Sequence, residues 1–176
     1  MIKRLSHYAQ EADEHHWPSF VAKYPDYVLV ILPAENPDEP EVSPFLTTGH
    51  GEDRPTSRPP INDDYRVGPL TKRADSHPFN LFITVGRAGN NDIVLRDIEV
   101  SKIHAFFEMT SEGWTVRDGN SRNGTFVNEN RVPSDAKTVV RSTDTVKFGP
   151  AVGAVFFNSA DFYQFLRSTE VIEAFL

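Results

Sequence analysis

The amino-acid sequence predicts an all-β fold, a sandwich or a barrel, with an extension before it and a helix after it. From residue 63 onward the apolar residues fall in short runs that suit strands of ordinary length. Dipeptides of Gly, Pro, Asn and Asp, the residues that form tight turns, separate these runs. Many short strands at close spacing are typical of sandwiches and barrels, and 176 residues suffice for one such domain with added segments.

The segment before the β region, residues 1–62, is predicted to be an N-terminal extension. A short helix is expected over residues 6–16, ended by Pro18, and the unbroken apolar run over residues 27–32 predicts a buried strand. Residues 33–60 contain seven prolines among Asp, Glu, Ser, Thr and Gly, a composition that suits neither a helix nor a sheet. We therefore expect a long Pro-rich loop there. The sequence leaves open whether the extension packs on the β domain or regulates it.

The β domain is predicted over residues 63–158, where period-two and short apolar runs alternate with turn residues. The predicted strands cover residues 65–70, 79–85, 92–95, 104–109, 114–118, 125–127, 131–132, 138–141, 145–148 and 151–157. Together with the strand over residues 27–32, they are enough for two packed sheets.

Residues 159–176 are predicted to form a C-terminal helix. Asn158 or Ser159 can cap its first turn. Its apolar residues recur near the helical period, so we expect one face of the helix to pack back on the sandwich. A helix that binds a partner protein is the alternative.

The charge and apolar pattern of the chain argue against two classes of partner. The formal net charge is −7, and residues 1–62 carry 10 acidic against 5 basic residues, whereas residues 63–176 carry 15 against 13. Nucleic acids and anionic membranes both attract positive surfaces, so neither is an expected partner. The longest apolar runs fall far short of the roughly 20 residues that span a bilayer, and no secretory signal is recognisable. We therefore expect a cytoplasmic protein without membrane insertion.

Nothing in the sequence predicts an enzyme. The chain has no cysteine, which excludes disulfides, thiolate metal sites and a cysteine nucleophile. His7, His15 and His16 lie in or near the predicted N-terminal helix, but no two of them have the i, i+4 spacing of a metal-binding pair. Neither a glycine-rich phosphate loop followed by lysine nor a nucleophile elbow is present. We expect no catalytic residue, no metal and no cofactor.

Three polar clusters interrupt the β region and supply the candidate binding residues. Arg87 follows Gly86 at the end of an apolar run, which would carry its guanidinium to a loop edge where the planar fork can hold a phosphate. Ser101 and Lys102 offer a hydroxyl and a cation from another loop, and Asn123 offers an amide that both donates and accepts. Taken alone, each cluster has a plainer interpretation, a solvated surface arginine or a hairpin turn whose asparagine satisfies its own backbone.

The order and spacing of these clusters resemble the forkhead-associated (FHA) domain. The set begins with Gly86 and Arg87, continues with Ser101 and His104 with two residues between them, and ends with the run NGTFVN. The run NDIVL between the first two clusters is also similar to the family. Each motif alone is common, but the ordered set is specific. The resemblance covers roughly residues 64–157.

The resemblance implies a β-sandwich of about eleven strands whose loops at one end bind a phosphothreonine peptide. In it, Arg87 and Ser101 would hold the phosphate, Asn123 would hold the ligand backbone, and His104 would brace the loops without acting as a base. The implied phosphopeptide-binding residues are Arg87, Ser101, Lys102, Arg122 and Asn123. The implied supporting residues are Gly86, His104 and Gly124.

We therefore expect a phosphothreonine-peptide-binding module that mediates phosphorylation-dependent protein–protein interaction in Ser/Thr kinase signalling. The expected partner is a phosphothreonine-containing protein, and a Ser/Thr kinase and its substrate are the candidate types. The alternative is a phosphate-independent FHA-like scaffold or self-association module, which would not need Arg87 or Ser101.

Two positions depart from the family pattern, both in turns away from the proposed phosphate cluster. Glu129 stands where the family usually has glycine, and Thr143 replaces a glycine before Asp144. We expect altered turn geometry with the pocket intact, and we expect Asn130 to adopt the left-handed backbone conformation in place of the missing glycine.

Overall fold

The computed structural model describes residues 2–32, 65–79 and 81–168, and it contains two β-sheets that pack face to face. The strands are β1 (Lys3–Arg4), β2 (Tyr27–Ile31), β3 (Arg66–Pro69), β4 (Ile83–Gly86), β5 (Ile93–Val94), β6 (Ala105–Thr110), β7 (Gly113–Asp118), β8 (Thr125–Val127), β9 (Asn130–Arg131), β10 (Thr138–Val139), β11 (Thr145–Phe148) and β12 (Val152–Asn158). The helices are α1 (Leu5–Glu14), α2 (Trp17–Lys23) and α3 (Ser159–Ser168). The predicted all-β sandwich with a C-terminal helix is confirmed. The Pro-rich loop predicted over residues 33–60 lies outside the described residues.

The described strands divide into a seven-stranded and a five-stranded sheet. The larger has the order β1-β3-β2-β12-β11-β8-β9, and the smaller has the order β10-β7-β6-β4-β5. Neighbouring strands are antiparallel except β4 and β5, which are parallel. Between the sheets lies an apolar core in which Phe107 and Phe148 are fully buried and Phe156 is 1% exposed. Rings of this size contribute most of the apolar area that such a core buries.

Strand β2 shows why residues 27–32 are apolar without alternation. Leu29 and Ile31 belong to the core between the sheets, whereas Val28 and Val30 belong to a second apolar cluster on the outer face of the seven-stranded sheet. Because successive residues of a strand point to opposite faces, a strand that is covered on both faces needs apolar side chains at every position. β2 lies between β3 and β12, so a segment from before the Pro-rich stretch supplies an interior strand of the sandwich.

The three helices cover the outer face of the seven-stranded sheet, and we call them and this face the helical layer. Leu5 and Tyr8 of α1, Phe20 of α2, and Phe162 and Phe165 of α3 are all at most 5% exposed within the second cluster. The predicted packing of the C-terminal helix against the sandwich is therefore confirmed. None of the helices in the described part of the chain is both long and apolar enough to cross a membrane.

The structure confirms the predicted cap of the C-terminal helix and adds a helix, α2, that was not predicted. Asn158 caps α3, because its Oδ1 accepts a 2.7 Å hydrogen bond from the N–H of Asp161. The helix is predicted over residues 159–176, and residues 169–176 lie outside the described part. The sequence predicts Pro18 only as the residue that ends the first helix. In the structure it lies in the first turn of α2, a second helix that was not predicted. Proline suits that position because the first N–H groups of a helix have no partner within the helix.

The turn between β8 and β9 corrects the prediction for Asn130. Asn128 and Glu129 have φ angles of 47° and 63°, so the left-handed conformation falls on these two residues, and Asn130 pairs with Val127 in the ladder. A two-residue hairpin connection of this kind needs positive φ at both central residues. The other departure from the family pattern, Thr143, also has positive φ, at 78°.

Candidate functional site

Three loops at one end of the sandwich bring the predicted site residues together. These site loops are residues 87–92 between β4 and β5, residues 95–104 between β5 and β6, and residues 119–124 between β7 and β8. The N–H of Arg87 donates a 2.9 Å hydrogen bond to the carbonyl of Ser101. The Ser101 hydroxyl accepts a 3.0 Å bond from the N–H of Arg122. Ser101 therefore joins all three loops.

Gly86 lets the first two loops approach closely. A Cβ atom at this position would lie 2.4 Å from the carbonyl oxygen of Lys102, a distance that no side chain tolerates. The same carbonyl accepts hydrogen bonds from the N–H of Ala88 at 3.1 Å and from Nδ2 of buried Asn91 at 2.7 Å. The backbone beside Lys102 is thus fixed by bonds that depend on glycine at position 86.

His104 connects the second loop to the third from a fully buried position. Its Nδ1 accepts a 3.0 Å hydrogen bond from the N–H of Ser101, so its Nε2 carries the proton and donates a 3.0 Å bond to the carbonyl of Gly124. Only the neutral ring can make both bonds. Burial lowers the pKa of His104, although the bond to Gly124 and the charge of Asp118 oppose this shift.

Asp118 holds the third loop in shape. Its carboxylate accepts hydrogen bonds from the N–H of Ser121 at 2.9 Å, from the Ser121 hydroxyl at 2.7 Å and from the Thr125 hydroxyl at 2.6 Å. Burial raises the pKa of Asp118, but these bonds and the neighbouring His104 outweigh it and lower the pKa overall. Ser121 Oγ in turn accepts a 2.9 Å bond from the N–H of Gly124, whose φ of 86° favours glycine.

The side chains that face outward from these loops are mainly cationic. Arg87, Lys102 and Arg122 are exposed, and Ser101 lies half-buried between them in the hydrogen-bond network. Arg87 Nε donates to the carbonyl of Val100 at 3.1 Å, which fixes the start of the guanidinium and leaves its two terminal nitrogens toward solvent. Because the Ser101 hydroxyl accepts from Arg122, its own hydrogen can be donated to a ligand. The arrangement suits a compact dianion such as a phosphate monoester.

Asn123 lies beside this group and is held by a residue that the sequence analysis did not single out. Its Nδ2 donates to the backbone carbonyl of Glu99 at 2.8 Å and to the Glu99 carboxylate at 2.7 Å. Both amide hydrogens are thereby used, so Oδ1 is the atom that Asn123 offers to a ligand.

The supporting residues Asn91, Asp92, Asp118 and Glu99 went unrecognised as such because their sequence signals are ordinary turn or strand-end residues. Asp92 illustrates the point: its buried carboxylate accepts bonds from Lys72 at 2.9 Å, from the backbone N–H of Arg73 at 2.8 Å and from Thr84 Oγ1 at 2.9 Å. Burial raises the pKa of Asp92, but these and further hydrogen bonds hold it at about 2. Within residues 2–32, 65–79 and 81–168, no group of His, Cys, Asp and Glu could hold a metal ion.

A scan of family models supports what the site geometry suggests. The model of the FHA domain matches residues 83–149, which include every predicted site residue and all three site loops. Residues 83–149 are an FHA domain. Strand β2, strand β12 and the helical layer lie outside the matched range, although β2 and β12 share a sheet with β8 and β11.

Curated proteins and solved structures are similar to part of this chain. The oxoglutarate dehydrogenase inhibitor of Corynebacterium glutamicum is 39% identical over 66 residues, which cover 38% of this chain and 44% of that protein. The glycogen accumulation regulator GarA of Mycobacterium tuberculosis is 39% identical over 66 residues, which cover 38% of this chain and 39% of GarA. The aligned parts of the curated relatives span between 7% and 44% of their own length. Among solved structures, an FHA domain of Arabidopsis thaliana is 28% identical, with a TM-score of 0.42 over 44% of this chain and 66% of that one.

Proposed function

We propose that this protein binds phosphothreonine peptides through the site loops of its FHA domain and so mediates phosphorylation-dependent protein–protein interaction in Ser/Thr kinase signalling. The observation that carries the proposal is the joining of Arg87, Ser101 and Arg122 into one hydrogen-bonded, outward-facing cluster. A phosphothreonine-containing protein, such as a Ser/Thr kinase or its substrate, is the proposed partner. The protein acts as a binding module and not as an enzyme, and the cytoplasm is its proposed compartment.

The roles of the site residues follow from their chemistry. The Arg87 guanidinium and the Ser101 hydroxyl hold the phosphate, and the exposed ammonium of Lys102 adds a mobile charge. Arg122 contributes a further cation from the third loop, and Asn123 Oδ1 accepts a hydrogen bond from the ligand backbone. Charge-assisted hydrogen bonds to a dianion are about twice as strong as neutral ones. The phosphate therefore supplies most of the difference in binding free energy between phosphorylated and unmodified peptides.

Arg87→Ala is the variant that tests the proposal. We expect it to weaken binding of a phosphothreonine peptide by about 2–3 kcal/mol, because the phosphate loses a charge-assisted pair of bonds. The free energy of unfolding should change by less than about 0.5 kcal/mol, because the side chain is exposed. Isothermal titration with a degenerate phosphothreonine library, beside phosphoserine and unmodified libraries, measures the first quantity, and urea unfolding measures the second.

Arg141→Ala is the matched control, since Arg141 is also exposed but lies before β11, at the end of that strand away from Gly149 and the site. It should leave binding unchanged. A folded Arg87→Ala protein that binds as tightly as the native chain would contradict the proposed site. Equal binding of phosphorylated and unmodified libraries would instead favour the phosphate-independent scaffold.

A further inference from the structure

Glu99 brings a carboxylate directly against the residue that would hold the ligand backbone. Its Oε2 and its backbone carbonyl both accept hydrogen bonds from Asn123 Nδ2, at 2.7 and 2.8 Å. Its N–H donates a 2.8 Å bond to Oδ1 of Asp97, which fixes the loop before it. Glu99 therefore uses both amide hydrogens of Asn123, which leaves Oδ1 as the side-chain atom available to a ligand.

The position of Glu99 is fixed by packing as well as by hydrogen bonds. The chain that follows β11 passes so close that a Cβ atom on Gly149 would lie 3.2 Å from the Glu99 carbonyl and 3.1 Å from Asn123 Cβ. On the other side, Val100 is 1% exposed and anchors the loop in the core. A carboxylate held in this way offers a defined location for a ligand group, which a flexible surface glutamate does not.

The Glu99 carboxylate has acceptor capacity left for a ligand. An ionised carboxylate has about four acceptor positions, and the described side chains give it one hydrogen bond, from Asn123. In the part of the chain that the structure describes, no Lys, Arg or His forms an ion pair with it. The site thus presents the Arg87 guanidinium and the Ser101 hydroxyl to a phosphate and, beside Asn123, a carboxylate with which no described cation pairs.

We propose that Glu99 selects phosphothreonine peptides that carry a lysine or arginine close to the residue whose backbone Asn123 holds. The ligand class is then a peptide that carries a phosphate dianion and a nearby cation. The dianion faces the phosphate-binding residues, and the cation faces the Glu99 carboxylate. This inference rests on the proposed function, because it assigns a specificity to the same site. A neutral or acidic residue at that peptide position leaves the Glu99 carboxylate without a partner or facing a like charge.

A double-mutant cycle between the protein and the peptide tests this inference. The probes are phosphothreonine peptides in which each flanking position is in turn lysine or glutamine, and the proteins are the full native chain and Glu99→Gln. Glutamine keeps an oxygen that accepts from Asn123 but removes the charge. At one position we expect the native protein to prefer lysine over glutamine by about three- to fivefold, and Glu99→Gln to lose this preference.

Glu112→Gln is the control, because Glu112 is exposed in the β6–β7 turn, at the end of those strands opposite the site. It removes the same charge and should keep the lysine preference. A native protein without any lysine preference, or a preference that persists in Glu99→Gln, would overturn the inference while leaving the proposed function intact. A native protein that binds none of the phosphothreonine peptides would instead overturn the proposed function, and the inference with it.

Discussion

The site loops and the helical layer are two regions of one sandwich that are held together by different forces. In the loops, buried or half-buried polar groups satisfy one another, as Asp118 does with Ser121 and Thr125. In the helical layer, aromatic rings pack on strands β2 and β12, with Phe162 within 6.5 Å of the ring centroids of Tyr8, Phe20, Phe157 and Phe165.

The two regions serve different tasks: the site loops position the ligand-binding residues, and the helical layer stabilises the fold. Hydrogen bonds are directional, so a network of them fixes the positions of Arg87, Ser101 and Asn123 to the precision that a ligand requires. Apolar burial is not directional, but it supplies most of the free energy that keeps the sandwich folded. Substitutions in the helical layer should therefore change stability alone, and substitutions in the loop network should change stability and binding together.

The largest effect is expected from Phe162→Ala in the helical layer. Phe162 is 1% exposed, so the truncation leaves a cavity and should lower the free energy of unfolding by about 3–5 kcal/mol. Urea unfolding measures this loss. Gln164→Ala, an exposed position of the same helix, should cost little. Below the unfolding transition, the peptide affinity of the Phe162 variant should equal that of the native chain; a large loss of affinity would show that the two regions are not separable.

His104→Ala should lower both stability and affinity, because this ring joins two site loops. We expect a loss of about 2–4 kcal/mol in the free energy of unfolding, since the N–H of Ser101 loses its acceptor and a cavity replaces the ring. Peptide affinity should fall as well, measured by titration at a temperature where the variant is folded. Loss of stability without loss of affinity would show that the ring does not position Ser101.

The same residue gives the native protein a pH dependence. The pKa of His104 is lowered in the folded state, so the unfolded chain binds more protons than the folded one as pH falls. The stability that the neutral ring contributes is present above its unfolded pKa of about 6.5 and is lost progressively below it. Native protein should therefore lose more stability between about pH 7.5 and about pH 5.5 than His104→Ala does. Equal losses in the two proteins would contradict this assignment.

The sequence predicts the strands well because they depend on local signals, and the structure brings the predicted site residues together at one end of the sandwich. Each of the eleven predicted strands lies where a strand is found, since apolar runs and turn residues mark them. Strand β1, the dipeptide Lys3–Arg4, carries no apolar signal and forms only because β3 offers its edge. Glu99 could not be recognised for a related reason: its contact with Asn123 joins residues 24 positions apart, and loop geometry, not a motif, creates it.

The smallest expected effect concerns the β8–β9 turn, which belongs to neither region. Glu129 has a φ of 63°, which is strained for a residue with a side chain. Glu129→Gly should therefore raise the free energy of unfolding by about 0.5–1 kcal/mol, because relief of this strain exceeds the loss of the exposed ion pair with Lys147. Asn130→Gly is the control: Asn130 lies in β9 without positive φ, so glycine there should lower stability. Thermal unfolding compares the two variants, and peptide titration should show native affinity in both, because the turn lies at the end of β8 away from Gly124. A stabilising effect at residue 130 and a destabilising one at residue 129 would instead place the left-handed residue at Asn130, as expected from the sequence.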